Sequence, residues 1–313
     1  MKILVTGTAG FIGYHLAQSL NNHDIYCIDG MVGQHPIYMD RVLDLKEKGI
    51  ETDTLDLKDN GIYSLLRRHK FDLIIHLAAK AGVRESIENP QTYIDNNVMA
   101  FKNLLEAMKE TGHKKLIYAS SSSVYGEQNT APFCEYDDCE HPESFYASTK
   151  RMNEMMAFTY NKLYGIESIG LRFFTVYGEW GRPDMAPWIF SEKIINDKPI
   201  QVFNNGDQLR DFTYVGDIVQ GINAIVDKGF NGCDVYNIGS GNPIKLMDFI
   251  QDLESIIGKE ANKEFLPKQK GDVVQTHCSV SKLKKDFDYE PNTPLNVGLS
   301  KFVIWFKQYI KQD

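Results

Sequence analysis

The chain has no run approaching the roughly 18 apolar residues that a membrane-crossing helix needs, so no span is expected. Its first apolar run, KILV, breaks into glycine almost at once, which disfavours a signal peptide. It lacks paired cysteines. The five present, Cys27, Cys134, Cys139, Cys233 and Cys278, are odd in number and form no CxxC. Cys134 and Cys139 have only His141 near them, so no metal site is expected. Reduced thiols and a cytoplasmic setting are expected instead. Positive charge is also in deficit: 34 Lys and Arg against 42 Asp and Glu leave a net −8. Such a chain has no general attraction to nucleic acid or anionic membrane, and any anion must be held by a local site. No internal repeat and no low-complexity linker is present. What remains is 313 residues, 42% hydrophobic and 24% charged, enough for one large or two modest packed domains.

Short apolar runs alternate with helical patterns. KILVT (2–6), DIYCID (24–29), FDLIIHLAA (71–79), KKLIYAS (114–120) and ESIGLRFF (167–174) read as strands. The third is nearly continuous in apolar residues, as a parallel strand buried on both faces must be. Helices are expected over 11–22, over 92–112 with a stop at Gly112, and over the segment containing YASTK. This alternation predicts an α/β fold with a doubly wound parallel sheet. After about residue 178 the pattern changes. YGEWGRPDMAPW (177–188) reads as a loop over a site, 211–229 returns to helix, and shorter elements follow, with a Lys-rich stretch at 258–270. The expected division is a first domain over 1–178, rejoined by 211–236, and a smaller discontinuous second domain over 179–313.

Three groups of residues point to chemistry. Gly7, Gly10 and Gly13 lie between the first strand and the first helix, spaced GxxGxxG rather than GxGxxG. Glycines there let the backbone approach a pyrophosphate, and the helix start supplies amide donors and a positive dipole end. Asp29 ends the second strand, where a carboxylate accepts from both ribose hydroxyls and repels a 2′-phosphate, favouring NAD over NADP. Asp56 and Leu57 stand at another strand end, where an adenine edge would lie; Asp56 would equally serve to cap the helix at 59–69. YASSSSVYG (118–126) puts a run of serines at the end of the fifth strand, the side where open α/β sheets bind ligands. Tyr146 and Lys150 are one helical turn apart and share a face. Tyrosine ionises at about 10; a neighbouring ammonium and a positive nicotinamide ring both favour its phenolate.

Together these residues resemble the extended short-chain dehydrogenase/reductases that modify nucleotide sugars, from Lys2 to about Leu283. The resemblance implies a Rossmann-type sheet with a smaller mixed α/β substrate-binding domain, NAD as cofactor, and polysaccharide biosynthesis as the setting. It implies Ser121, Tyr146 and Lys150 as the catalytic set. Phe11 and Ile12 with the glycines, Leu77, Ala78 and Ala79 in HLAA, and Asn96 are implied as further cofactor contacts. Relatives often dimerise by pairing the helices at 92–112 and 145–164. Here these carry Met99, Phe101, Met155 and Met156 on more than one face, so a homodimer is expected.

Local matches narrow the resemblance. The family's 4,6-dehydratases carry Asp-Glu after the catalytic hydroxyl, where this chain has Ser122 and Ser123. Neither is an acid or base near neutral pH, so the run offers hydroxyls to a sugar rather than dehydration. GLRFFTVYGEWGRPDMA (170–186) and AGVRESIENP (81–90) look like the UDP-glucuronate 4-epimerases. That implies Arg182 facing a sugar carboxylate, Thr175 bonded to the same group, and Arg84 either assisting or orienting a loop. In RDFTYVGD (210–217) Arg210 is implied at the UDP phosphates, and in KGDV Asp272 at the uridine ribose. The implied reaction is NAD-dependent 4-epimerisation of a UDP-hexuronic acid (UDP-glucuronate to UDP-galacturonate) through a 4-keto sugar, with another UDP-sugar 4-epimerase or a UDP-glucuronate decarboxylase as the alternative. Lys80 departs from the glutamine expected after HLAA, and a second cation beside the sugar is the expectation it raises. The 29–41 loop, His277 and Cys278 also depart from the family pattern.

Overall fold

A computed structural model of the chain describes residues 1–33, 35–127, 131–268 and 275–311. The expected strands form where β-branched and aliphatic residues cluster: β1 (Lys2–Thr6), β2 (Asp24–Asp29), β3 (Thr52–Thr54), β4 (Leu73–His76), β5 (Lys115–Ser121) and β6 (Glu167–Phe173). Between them run α1 (Phe11–Ser19), α2 (Ile37–Glu47), α3 (Gly61–Arg68), α4 (Val83–Glu88), α5 (Pro90–Tyr93), α6 (Ala100–Thr111) and α7 (Phe145–Tyr164). There follow β7 (Thr175–Tyr177), α8 (Ala186–Ile195), β8 (Ile200–Phe203), β9 (Leu209–Tyr214), α9 (Val215–Lys228), β10 (Cys233–Ile238), β11 (Pro243–Lys245), α10 (Leu246–Ile257), β12 (Lys263–Leu266), α11 (Ser281–Phe287) and α12 (Leu295–Tyr309).

The chain divides into two compact units. One holds 1–126, 135–173 and 222–237; the other holds 127–134, 174–221 and 238–313. In the first, a seven-stranded sheet has the order β10-β6-β5-β4-β1-β2-β3. The pairs from β3 to β6 are parallel. The order reverses between β1 and β4, and the carboxyl ends of those strands frame the crevice where such sheets take their ligand. One core layer lies between the sheet and α3 and α6, built from Leu4, Ile74, Leu116, Ile62, Leu65, Leu104 and Met108 among others. Each large side chain buried there contributes about 1.5–3 kcal/mol. In α3 the i, i+3, i+4 spacing of Ile62, Leu65 and Leu66 makes that face. The other unit contains the sheets β11-β9-β7 and β12-β8.

Four expectations change. The strand at 71–79 ends at His76: Leu77 N still donates to Thr6 O of β1 (3.1 Å), and the chain then passes close over Gly7. The helix at 92–112 is α5, a π-helical stretch over Ile94–Met99, then α6. It does stop at Gly112, in the left-handed conformation (φ 80°). The start of the helix at 211–229 is instead the strand β9: Phe212 stacks on Phe249 at 4.4 Å, while Asp211 and Thr213 are buried. Of the Lys-rich stretch, 263–266 is strand, paired with β8. The helix residues also sort by face: Phe101 is core and Met156 packs on it, whereas Met99 and Met155 are exposed.

Candidate active site

The turn after β1 is held by the chain itself. Gly7 N donates to Ile28 O (2.9 Å) and Gly10 N to Gly7 O (3.0 Å). Gly7 has φ 83°, and a Cβ there would lie 2.5 Å from Ala78 N. At Gly13 it would lie 2.0 Å from Gly7 O. Glycine is thus demanded by the turn before any ligand is considered. No side chain caps α1, leaving its first amides, at Phe11 and Ile12, as donors for an anion.

Asp29 ends β2 at 8% exposure and accepts from Ala9 N (2.9 Å) and Met31 N (2.8 Å). Burial pushes its carboxyl up from the ordinary value, while those amides and Arg41 pull it down. A carboxylate has about four acceptor positions, so two bonds leave capacity for a ribose diol. Nothing local in the sequence marks Arg41 as part of this turn. It is fully buried and donates to Ala9 O (2.8 Å), tying α2 to the glycine turn. Asp56 accepts from Lys58 N (2.9 Å) and pairs with Lys58 Nζ, rather than capping α3. Leu57 is buried. These residues fit NAD: orphan amides for the pyrophosphate and an acidic strand end for a ribose.

Under the same crevice, His76 Nδ1 meets Thr6 Oγ1 (2.9 Å), and Ala78 N donates to that hydroxyl (3.3 Å). Burial, then the charge of Lys150, lowers the imidazole to about 3, so the ring is neutral. Leu77, Ala78 and Ala79 are half-buried. Asn96 Nδ2 donates to Thr92 O (2.8 Å). Its neighbour Asn97, 2% exposed, bonds Lys80 N (2.7 Å) and Lys80 O (2.9 Å), and pins this segment to Thr149 of α7 (3.1 Å).

Ser121 ends β5. Its oxygen accepts from Ser123 N and its hydroxyl donates to Ser123 Oγ, both at 3.2 Å; Ser122 is half-buried. Helix α7 opens at Ser144, which accepts from Ala147 N (3.1 Å). Tyr146 N donates to Ser86 Oγ (3.1 Å), and its ring meets Tyr93 edge-on at 6.2 Å. Lys150 is 3% exposed, with Nζ 6.0 Å from the Tyr146 ring centre and 2.9 Å from Ala119 O, two residues before Ser121. Burial lowers its ammonium from 10.5 to about 8. Arg84 is exposed on α4. Lys80, the cation expected beside the sugar, has its Nζ 2.8 Å from Glu85 Oε1.

In the other unit, Arg182 lies in the loop before α8. Asp184 holds its guanidinium at two points, Nε (3.0 Å) and Nη2 (2.5 Å). Trp180, at φ 57°, anchors this loop against Trp305 (5.4 Å) and Tyr309 (5.9 Å) of α12. Thr175 is half-buried at the start of β7. On β9, Arg210 Nη1 donates to Leu209 O (3.0 Å). Next to it Asp211, fully buried, accepts from Ser240 N and Oγ, Gly241 N, Cys278 N and Thr213 Oγ1 at 2.8–3.1 Å. Cys278 is buried, and its backbone amide is one of those donors. Asp272 lies outside the described residues.

The model of the NAD dependent epimerase/dehydratase family matches residues 3–239. The chain belongs to that family. Among curated relatives of this epimerase/dehydratase, Protein CapI of Staphylococcus aureus is 42% identical over the whole of both chains. UDP-glucuronate 4-epimerase 2 of Arabidopsis thaliana is 38% identical over all of this chain and 77% of its own. Among solved structures, UDP-glucuronic acid 4-epimerase from Bacillus cereus, in complex with UDP-glucuronic acid and NAD, is 37% identical. It superposes with a TM-score of 0.93 over 99% of this chain and 100% of its own. All five cysteines of this family member are described, and none is in a disulfide. Among the described residues, no helix is long and apolar enough to cross a membrane.

Proposed function

We propose that the protein is an NAD-dependent UDP-sugar 4-epimerase that interconverts UDP-glucuronate and UDP-galacturonate. The observation that carries this reading is the end-to-end likeness to the Bacillus cereus enzyme whose structure contains UDP-glucuronic acid and NAD. The first unit holds NAD through Gly7, Gly10, Phe11, Ile12 and Gly13 at the pyrophosphate and Asp29 at the adenosine ribose. Asp56 and Leu57 take the adenine side. Leu77, Ala78, Ala79 and Asn96 line the nicotinamide half.

When bound, NAD⁺ accepts the hydride from C4 of the sugar and returns it to the opposite face. The chain's part is the matching proton. Tyr146, as phenolate and directly or through Ser121, removes the proton from the 4′-hydroxyl and gives it back after the 4-keto sugar has turned. Lys150 favours that phenolate by its charge. Ser122 and Ser123 hold sugar hydroxyls. Arg210 and Asp272 are assigned to the diphosphate and uridine, a firm hold that lets the hexose rotate without escaping.

A 4-keto uronate is a β-keto acid and loses CO₂ when its carboxylate stands perpendicular to the carbonyl plane. Arg182 and Thr175, assisted by Arg84, are assigned to keep that carboxylate out of this geometry. A guanidinium binds both oxygens in one plane, and Asp184 presets that plane. The enzyme acts in the cytoplasm, where its thiols stay reduced, and supplies uronate units for polysaccharide synthesis. It works as a homodimer through the exposed Met99, Met152, Met155 and Phe158. Substrate carrying deuterium at C4 tests the reading: the galacturonate product retains it at C4. Loss of the label to solvent contradicts the mechanism.

A further inference from the structure

The serine run has a second role, on the side of β5 away from Ser121. Successive strand residues point to opposite faces, and Ser120, 2% exposed, donates from Oγ to Glu154 Oε1 at 2.7 Å. Glu154 lies on α7 at i+4 from Lys150 and i+8 from Tyr146, on the same helical face. It is 4% exposed and saturated with donors. Arg172 Nε meets Oε1 at 2.8 Å, Arg172 Nη2 meets Oε2 at 2.9 Å, and Arg151 Nη1 meets Oε2 at 2.9 Å. Arg172, 2% exposed, is the register partner of Ser120 across β5 and β6. Its Nη1 donates to Tyr125 Oη (2.9 Å), which donates on to Asn237 Oδ1 on β10 (2.6 Å). Tyr125 closes the 3-10 turn Ser122–Tyr125 that follows Ser121. One buried ion pair therefore touches the strand before Ser121, the turn after it, and the helix bearing Tyr146 and Lys150.

We propose that Glu154 and Arg172 are positioning residues for proton transfer, fixing the placement of α7 on the end of β5 and so of Tyr146 relative to Ser121. This rests on the reading of those two as the proton path. Adhesion alone does not call for charge here. Apolar residues of similar volume hold layers together as well as a buried ion pair or better. What a two-point carboxylate–guanidinium contact adds is a defined distance and direction. Burial works against Glu154's charge, but Arg172, Ser120 and Arg151 hold its carboxyl below the ordinary value, so the pair is ionised. Glu154 carries one negative charge against the two guanidinium groups of Arg172 and Arg151, so the cluster adds no negative charge beside Lys150 and Tyr146.

The test compares the NAD-loaded parent with Ser120→Ala, with the double variant Glu154→Met and Arg172→Met, and with Tyr146→Phe. The double variant keeps its fold and NAD content and its KM for UDP-glucuronate. Its kcat falls about ten- to a hundred-fold, since a misplacement near 1 Å costs on the order of 10²-fold. Ser120→Ala, which removes a single bond, lowers kcat a few-fold in the same pattern and serves if the double variant does not fold. Parent-like kcat in either folded variant, whatever its unfolding temperature, overturns the proposal. Turnover surviving in Tyr146→Phe overturns the underlying reading instead, so the two failures are separable.

Discussion

Replacing Lys150 by methionine strengthens the cofactor-free fold near neutral pH while removing activity. Lys150 is 3% exposed, and burial lowers its ammonium from 10.5 to about 8. That difference is about 3 kcal/mol against carrying the charge in the folded state. The bond from Nζ to Ala119 O (2.9 Å) returns about 1.5 kcal/mol as a contact from a charged group. Lys150→Met therefore gains about 1–2 kcal/mol, the remainder of those two opposed terms. The sign depends on pH. The native pKa lies below the unfolded one, so between pH 8 and 10.5 the unfolded chain binds more protons and the parent's stability rises with pH. The variant's advantage is full below pH 8 and fades toward 10.5. Urea unfolding of both proteins, stripped of NAD, at about pH 7 and about pH 10 measures it. A variant less stable at the lower pH, or a gap equal at both, refutes the reasoning.

Other outcomes follow from single contacts. Gly7→Ala places a Cβ 2.5 Å from Ala78 N at a positive φ, and the purified protein then carries no NAD by extraction and chromatography. Arg182→Ala raises KM for UDP-glucuronate roughly ten- to a hundred-fold, the equivalent of losing a hydrogen bond to a charged group. UDP affinity by calorimetry stays near the parent's, and the product contains pentose from decarboxylation; unchanged KM and product purity remove Arg182 from the carboxylate. Tyr118→Phe raises the unfolding free energy read from urea denaturation by about 1 kcal/mol, since the Tyr118 hydroxyl is buried without a partner.

The parts of the fold and site legible in the sequence are those whose chemistry is local. The glycine turn, the acidic end of β2 and the shared face of Tyr146 and Lys150 each depend on spacing within one segment. The same is true of the four buried strands that begin or end near them. β9 is not legible in one dimension because DFTY is short and mixed. Its stacking on Phe249 and the donors gathered around Asp211 come from distant segments. The π-helical stretch around Asn97 keeps an apolar pattern that a straight helix also satisfies. Arg41, Glu154 and Arg172 look like surface charges in one dimension. They become buried only when α2 meets the glycine turn and α7 meets β5 and β6. The pairing of Lys80 with Glu85 arises only once α4 turns back on the segment after β4.

The most direct test of the central claim is the product formed from UDP-glucuronate by the protein as purified, with no cofactor added, followed by proton NMR. The expected result is a galacturonate anomeric signal growing to a fixed ratio with the starting sugar, approached from either side. A pentose signal, or turnover of only UDP-glucose or an N-acetylated sugar, would contradict it.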